Sequence, residues 1–125
     1  IVDYAKDVKA MLDKYGLFAE FVAPRLWFDK HTNDGGYTAS LKENYDFAIW
    51  RSLRSIDIAK ALGTNKIQLW LAREGTLCAE GKNPVEKIRQ MRDAFNTMTG
   101  VYKSLLSPSL MNRLTEAIVR QPVMP

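Results

Sequence analysis

The sequence predicts an α/β chain with the element order α-β-α-β-α-α and two parallel strands. Three observations carry that reading. Two short apolar runs, residues 17–23 and 66–72, lack helical caps and end in polar or proline-marked loops. A long segment of helical period separates them. Strand, helix and strand in that order form a right-handed parallel crossover, which puts both loops that follow the strands on one side.

Residues 1–15 place Ile1, Ala5, Val8, Leu12 and Tyr15 on one helical face, and Gly16 supplies the left-handed stop. Leu17 to Ala23 follows, bounded by Pro24, and is expected as a strand buried on both faces. Residues 24–39 form a loop that closes on Asn33-Asp34-Gly35-Gly36-Tyr37-Thr38. Ser40-Leu41-Lys42-Glu43 matches a capping box and opens a helix to Leu62, with Ile49, Leu53, Ile56 and Ala59 facing inward and Gly63 as its stop. Lys66 to Ala72 is the second strand, and a polar loop runs from Arg73 to Lys82. Asn83 caps the next helix, with Pro84 in its first position and Val85, Ile88, Met91, Phe95 and Met98 on its buried face. Gly100 is expected to end it, and Ser107-Pro108 to begin a last, shorter helix through Leu110, Met111, Leu114 and Ile118.

The chain has 125 residues, 46% of them hydrophobic, which suits one modest domain. Eighteen Lys and Arg against 14 Asp and Glu leave a net charge of +4, spread along the chain, so charge alone demands no anionic partner. The single cysteine, Cys78, excludes an internal disulfide framework and multi-cysteine zinc sites, and fits a reducing, cytoplasmic setting. No apolar run approaches the roughly 18 residues of a membrane span, and no signal peptide opens the chain. The first residue is Ile1 rather than Met, which predicts a trimmed or processed chain. Two parallel strands alone leave rows of N–H and C=O groups unpaired, so they are expected to borrow strands from a longer protein or from an oligomer.

Few residues carry chemistry by themselves. Trp27 and Trp70 are candidate apolar walls of a pocket, since an aromatic face suits the C–H face of a sugar. Arg73 and Glu74 follow the second strand as a charged pair, read either as the mouth of a site or as an ion pair bracing a loop. Gly35 and Gly36 are turn residues first, and could let the backbone approach a ligand closely. His31 reads as a solvated loop histidine, and Cys78 has no base beside it in sequence. Gly81-Lys82-Asn83-Pro84 lacks the upstream glycine and the Ser or Thr of a phosphate loop. Arg51, Arg54, Lys60 and Lys66 form a solvated helix face, with none of the aromatic–basic interleaving of a nucleic-acid platform.

Taken together, three stretches are more specific than their parts. Phe21-Val22-Ala23-Pro24-Arg25-Leu26-Trp27, then Asn33-Asp34-Gly35-Gly36-Tyr37-Thr38, then Leu69-Trp70-Leu71-Ala72-Arg73-Glu74-Gly75 resemble the xylose isomerase family without a gap. The resemblance covers residues 1–100 and leaves 101–125 as a helical tail without a counterpart. It implies a partial (β/α)8 TIM barrel whose second and third strands lie here, and a parent enzyme that interconverts aldoses and ketoses by a hydride shift assisted by two Mg or Mn ions. It further implies substrate-binding roles for Trp27 and Trp70 as pocket walls and a bracing role for Arg73 and Glu74. Dry apolar walls serve such a reaction because they exclude competing protonation.

Two departures accompany it: Leu71-Ala72 stands in place of the family's Gly-Gly, and Ala23-Pro24 in place of a Thr pair. The family's ring-opening histidine falls before residue 1, and its metal ligands fall on later strands. The nearest echo of its Glu-Pro-Lys-Pro strand puts Val119 and Gln121 at the ligand and lysine positions. No catalytic residue and no metal ligand is therefore expected in this chain. Expected partners are a sugar substrate of the parent and a homo-oligomer or the missing barrel strands, with neither nucleic acid nor membrane. The competing expectation is a catalytically inactive fragment that serves only as an oligomeric or interaction module.

Overall fold

A computed structural model describes residues 2–71, 73–75 and 81–105. It overturns the α/β class. Among the described residues there are three helices, α1 (Val2–Lys14), α2 (Lys42–Leu62) and α3 (Pro84–Leu105), two short 3-10 turns (Leu26–Phe28 and Lys30–Thr32), and no sheet. The two expected strands run extended and meet at a single parallel bridge between Val22 and Ile67. Two bonds make it: the Val22 N–H donates to Lys66 O at 3.1 Å, and the Gln68 N–H to Val22 O at 2.9 Å. One bridge is too little to propagate a ladder, so a partial TIM barrel is not what these residues build. The expected burial of residues 17–23 on both faces fails as well, because no second layer covers them: Leu17, Phe18 and Phe21 are 58%, 80% and 49% exposed.

The helices follow their sequence signals more closely. α1 carries Asp3 in its first turn and Lys14 in its last, which complements the helix dipole. Its Ala5 is buried. Gly16 takes φ 66° and turns the chain out of the helix, with the Leu17 N–H returning to Leu12 O at 2.9 Å. α2 ends as expected on Gly63, at φ 77°, whose N–H reaches the carbonyls of Ala59 and Lys60. Its start differs from expectation. The N-cap is Leu41, which makes no side-chain cap bond, and the capping box from Ser40 does not form. Asp34 Oδ2 instead accepts the Ser40 N–H at 2.9 Å, which ties the helix entrance to the preceding loop.

α3 begins as predicted: Asn83 Oδ1 accepts the N–H groups of Val85 at 3.0 Å and Glu86 at 3.3 Å. It does not stop at Gly100 but continues to Leu105. Val85 and Ile88, expected inside, are exposed, and the start of α3 instead turns a polar side to the loop before α2, with Lys87 Nζ and Gln90 Nε2 donating to Ala39 O at 3.2 and 2.9 Å.

α2 packs against both α1 and α3. The core gathers Leu26, Tyr37, Ala48, Ile56, Ala94 and Met98, with Leu53, Ile67, Leu69 and Phe95 partly buried around it. Tyr37, from the loop before α2, is fully buried, with its hydroxyl 2.6 Å from Ser52 Oγ and its ring edge-on to Phe95 at 5.3 Å. Ala72, Cys78, the helix expected from Ser107, and Val119 and Gln121 lie outside the described residues.

Candidate functional site

The loop of residues 24–39 is built to turn two aromatics outward. Arg25 adopts φ 48° and ψ 58°, the left-handed region that residues with a Cβ seldom enter. The chain reverses there, and buried Leu26 anchors the first 3-10 turn in the core. The Thr32 hydroxyl binds Leu26 O and lies 3.0 Å from Asp29 O, closing the second turn on the first. Arg51 of α2 donates Nε to Pro24 O at 2.7 Å and places Nη1 3.5 Å from Asp29 Oδ2. Leu26 therefore points inward, while Trp27 and Phe28 stay 39% and 63% exposed.

Trp27 meets Trp70 with ring centroids 6.4 Å apart and planes inclined by 25°. Trp70 is 61% exposed. Phe28 extends the surface, 4.4 Å from Trp27, and the Arg25 guanidinium lies 4.6 Å above the Phe28 ring. The two tryptophans named from sequence, 43 positions apart, thus form one aromatic surface open to solvent.

Glu74 has a different place from the mouth of a site. Its Oε1 accepts the N–H groups of Gly36 and Tyr37, each at 3.0 Å. Its Oε2 accepts the Thr38 N–H at 2.8 Å and the Thr38 hydroxyl at 2.6 Å. The Gly75 N–H then donates to Thr38 Oγ1 at 2.9 Å. Three successive backbone N–H groups converging on one carboxylate form an anion nest. This explains the glycine pair. A Cβ on Gly35 would lie 2.5 Å from Thr38 Oγ1 and 3.2 Å from Glu74 Oε2, and one on Gly36 would lie 3.1 Å from both Glu74 Oε1 and Ala48 Cβ. What the glycines let the backbone approach is the chain's own carboxylate. Arg73 is not paired with Glu74. It is exposed and donates Nη1 to Asn33 Oδ1.

Lys82 holds the other side of the same loop. Its side chain is only 4% exposed, and Nζ binds Asp34 O, Thr38 O at 2.9 Å and Asp34 Oδ1 at 2.9 Å. Glu74 takes the N–H groups of the loop and Lys82 its carbonyls. Sequence reasoning missed Lys82, and no local signal could have found it, since its partners lie more than 40 positions upstream.

The electrostatics follow from these contacts. Partial burial works against ionisation of Asp34, but the bonds from Lys82 and Ser40 override it and hold its carboxyl below the usual value. The His31 backbone N–H, followed by its side chain, lowers Asp29. Burial pushes the Tyr37 phenol up to about 12, the Glu74 charge adds to the rise, and the Ser52 hydrogen bond opposes it. His31 is pinned rather than freely solvated, with Nδ1 2.6 Å from Asp29 Oδ1 and its ring stacked on Phe47 at 4.5 Å.

An apolar cleft of about 460 Å³ opens between α2, α3 and the extended 65–69 segment, lined by Ile56, Ile67, Leu69, Phe95 and Met98 but by neither Trp27 nor Trp70. Among the described residues no group of three or more His, Cys, Asp or Glu side chains could hold a metal ion, and Asp29, Asp34 and Glu74 are each committed to partners within the chain. The Mg or Mn implied by the resemblance does not fit these described residues. Among the described residues no helix is long and apolar enough to cross a membrane. No family model matches the chain.

Proposed function

We propose that this chain contributes a sugar-pocket wall to a metal-dependent aldose–ketose isomerase similar to the xylose isomerases. The observation that carries the reading is the pairing of Trp27 with Trp70 on a braced support. The residues that carry the resemblance are distant in sequence, yet their side chains interlock: the acid after the second extended segment closes the glycine loop after the first. Two indole rings offer the C–H face of a sugar an apolar surface of fixed inclination, and the aromatic cover keeps water from its carbons. The wall binds and orients the sugar. Metal and further catalytic groups come from the rest of a parent protein, in a cytoplasmic setting.

The test is direct. Tryptophan fluorescence of this chain, titrated with xylose, glucose and rhamnose, reports on the wall, and the full-length parent assayed with Mg or Mn reports on turnover. Sugar-dependent quenching lost in W27A and W70A, with isomerisation by the parent, supports the reading. No quenching by any sugar and no turnover of any common aldose ends it.

A second reading has its own observation. Met11, Tyr15, Leu17, Phe18 and Phe21 expose large apolar surfaces on α1 and the segment after it. That face suits a second copy of the chain or a protein partner, which is the surface an inactive interaction module would use. Sedimentation separates the two readings, since a monomer at all concentrations removes the homo-oligomer.

A further inference from the structure

We infer that a second site lies where His31 meets α2: a hollow that takes a primary organic ammonium with an apolar stem, held by His31 Nε2, Glu43 and Asp46 against Phe47 and Trp50. It is independent of the sugar wall, since neither Trp27 nor Trp70 lines it.

Glu43, Asp46, Phe47 and Trp50 recur at i, i+3, i+4 and i+7 and so share one face of α2. The second 3-10 turn lays His31 against that face, with its ring stacked on Phe47 at 4.5 Å and the planes inclined by 28°. The rings of Phe47 and Trp50 are 5.9 Å apart. These residues line a hollow of about 430 Å³, within the usual range for a small-molecule pocket.

Apart from the Trp50 indole N–H, the polar groups of the lining accept. Asp29 is a carboxylate, so the proton in its 2.6 Å bond to His31 belongs to Nδ1. The neutral imidazole then carries its lone pair on Nε2, which has no partner in the chain among the described residues. Asp29 is itself fixed, accepting the His31 backbone N–H at 3.1 Å with Arg51 Nη1 3.5 Å from its other oxygen. The Glu43 side chain has no partner among the described residues. Asp46 is paired with Lys42, an exposed i,i+4 contact that a ligand displaces at little cost. Arg51 reaches the Phe47 ring, but its guanidinium is engaged by Pro24 O and Asp29. Three acceptors, two of them charged, beside two aromatic rings match a cation that has N–H donors and a hydrocarbon stem. An anion would face two carboxylates, and a quaternary ammonium has no N–H to give.

His31 is the only histidine in the chain, so its imidazole reports on the site without ambiguity. The experiment titrates the intact chain at about pH 8, where a histidine is neutral and an alkylamine charged, and follows the imidazole nitrogens by NMR. The probes are butylammonium, butyltrimethylammonium and butanol. Butylammonium is expected to bind with Kd of about 1 mM, to shift the Nε2 resonance, and to bind about tenfold more tightly than either of the others. Nα-acetyllysine amide presents the same ammonium on a peptide; its affinity relative to butylammonium tells a lysine side chain from a free amine as the source, and either order supports the site. E43Q, at an exposed position, is expected to keep Tm and weaken butylammonium about tenfold, and H31F, which keeps an aromatic ring against Phe47, to weaken it similarly. Equal affinity for butylammonium and butanol, or for butylammonium and butyltrimethylammonium, overturns the inference. So does no saturable binding of butylammonium, a lone pair found on Nδ1, or an affinity unchanged in E43Q.

Discussion

Replacing Glu74 by glutamine exchanges one carboxylate oxygen for an amide NH2 and leaves the side-chain volume almost unchanged. Both oxygens of Glu74 only accept, from Gly36 and Tyr37 on one side and from the Thr38 N–H and hydroxyl on the other. The amide can present its oxygen to one pair only. If its NH2 faces Thr38, the hydroxyl can rotate to accept, but the Thr38 N–H meets another donor. If it faces Gly36 and Tyr37, two backbone N–H groups lose their acceptor. The charge that strengthens every remaining bond disappears as well. Hydrogen bonds to charged groups contribute about 1.5–3 kcal/mol each, and an orphaned, largely buried N–H costs about 1–3 kcal/mol. Discounted for the partly exposed carboxylate, E74Q should lose about 3 kcal/mol, or roughly 10 °C in Tm. Urea unfolding followed by circular dichroism at 222 nm measures it. In E74A, where the nest is emptied, added formate should recover part of the loss and chloride less. A loss below about 0.5 kcal/mol in E74Q would refute the view that this carboxylate holds the glycine loop in place.

Three further outcomes follow from the same geometry. K82M removes a buried ammonium from two carbonyls and Asp34, and should cost about 2–4 kcal/mol by urea unfolding. Asp29 and Asp34 titrate below the usual aspartate range when folded, so they bind protons more readily unfolded; Tm should hold from neutral pH to about 5, decline as pH falls through 4 and below, and decline less steeply in K82M, where Asp34 has lost its cation. A Cβ at Gly100 meets nothing within 4 Å inside a continuous helix, so G100A should raise stability by about 0.5–1 kcal/mol, whereas G35A, at φ 84° with Thr38 Oγ1 at 2.5 Å, should lower it by at least about 2 kcal/mol; paired thermal melts decide both.

Local signals in the sequence reached about as far as one helical turn. Gly16 and Gly63 stop their helices where the left-handed stop was expected, and Asn83 and Pro84 start α3 as their chemistry requires. The capping box failed because Asp34 competes for the Ser40 N–H from six positions upstream. Gly100 failed because α3 has no steric or capping reason to end there. The largest error lies in the apolar runs 17–23 and 66–72. Their composition fits buried strands, but a strand is completed by neighbours, and among the described residues each run finds a single bridge. The candidate site divides in the same way. Trp27 and Trp70 are legible in the sequence as candidate pocket walls, while the partners of Glu74 and Lys82 lie 36 to 48 positions away and carry no local trace.

The carboxylate seated against Gly35 and Gly36 has an evolutionary corollary. A side chain at Gly35 would drive into the Thr38 hydroxyl and crowd the acid, one at Gly36 would press on the acid and on Ala48, and loss of the acid would strand three amides. The glycine pair and the glutamate 38 positions later therefore constitute one heritable unit. Among descendants of a common ancestor they should be kept or surrendered together, so that a sequence carrying only one of the two marks a lineage in which this loop has been rebuilt.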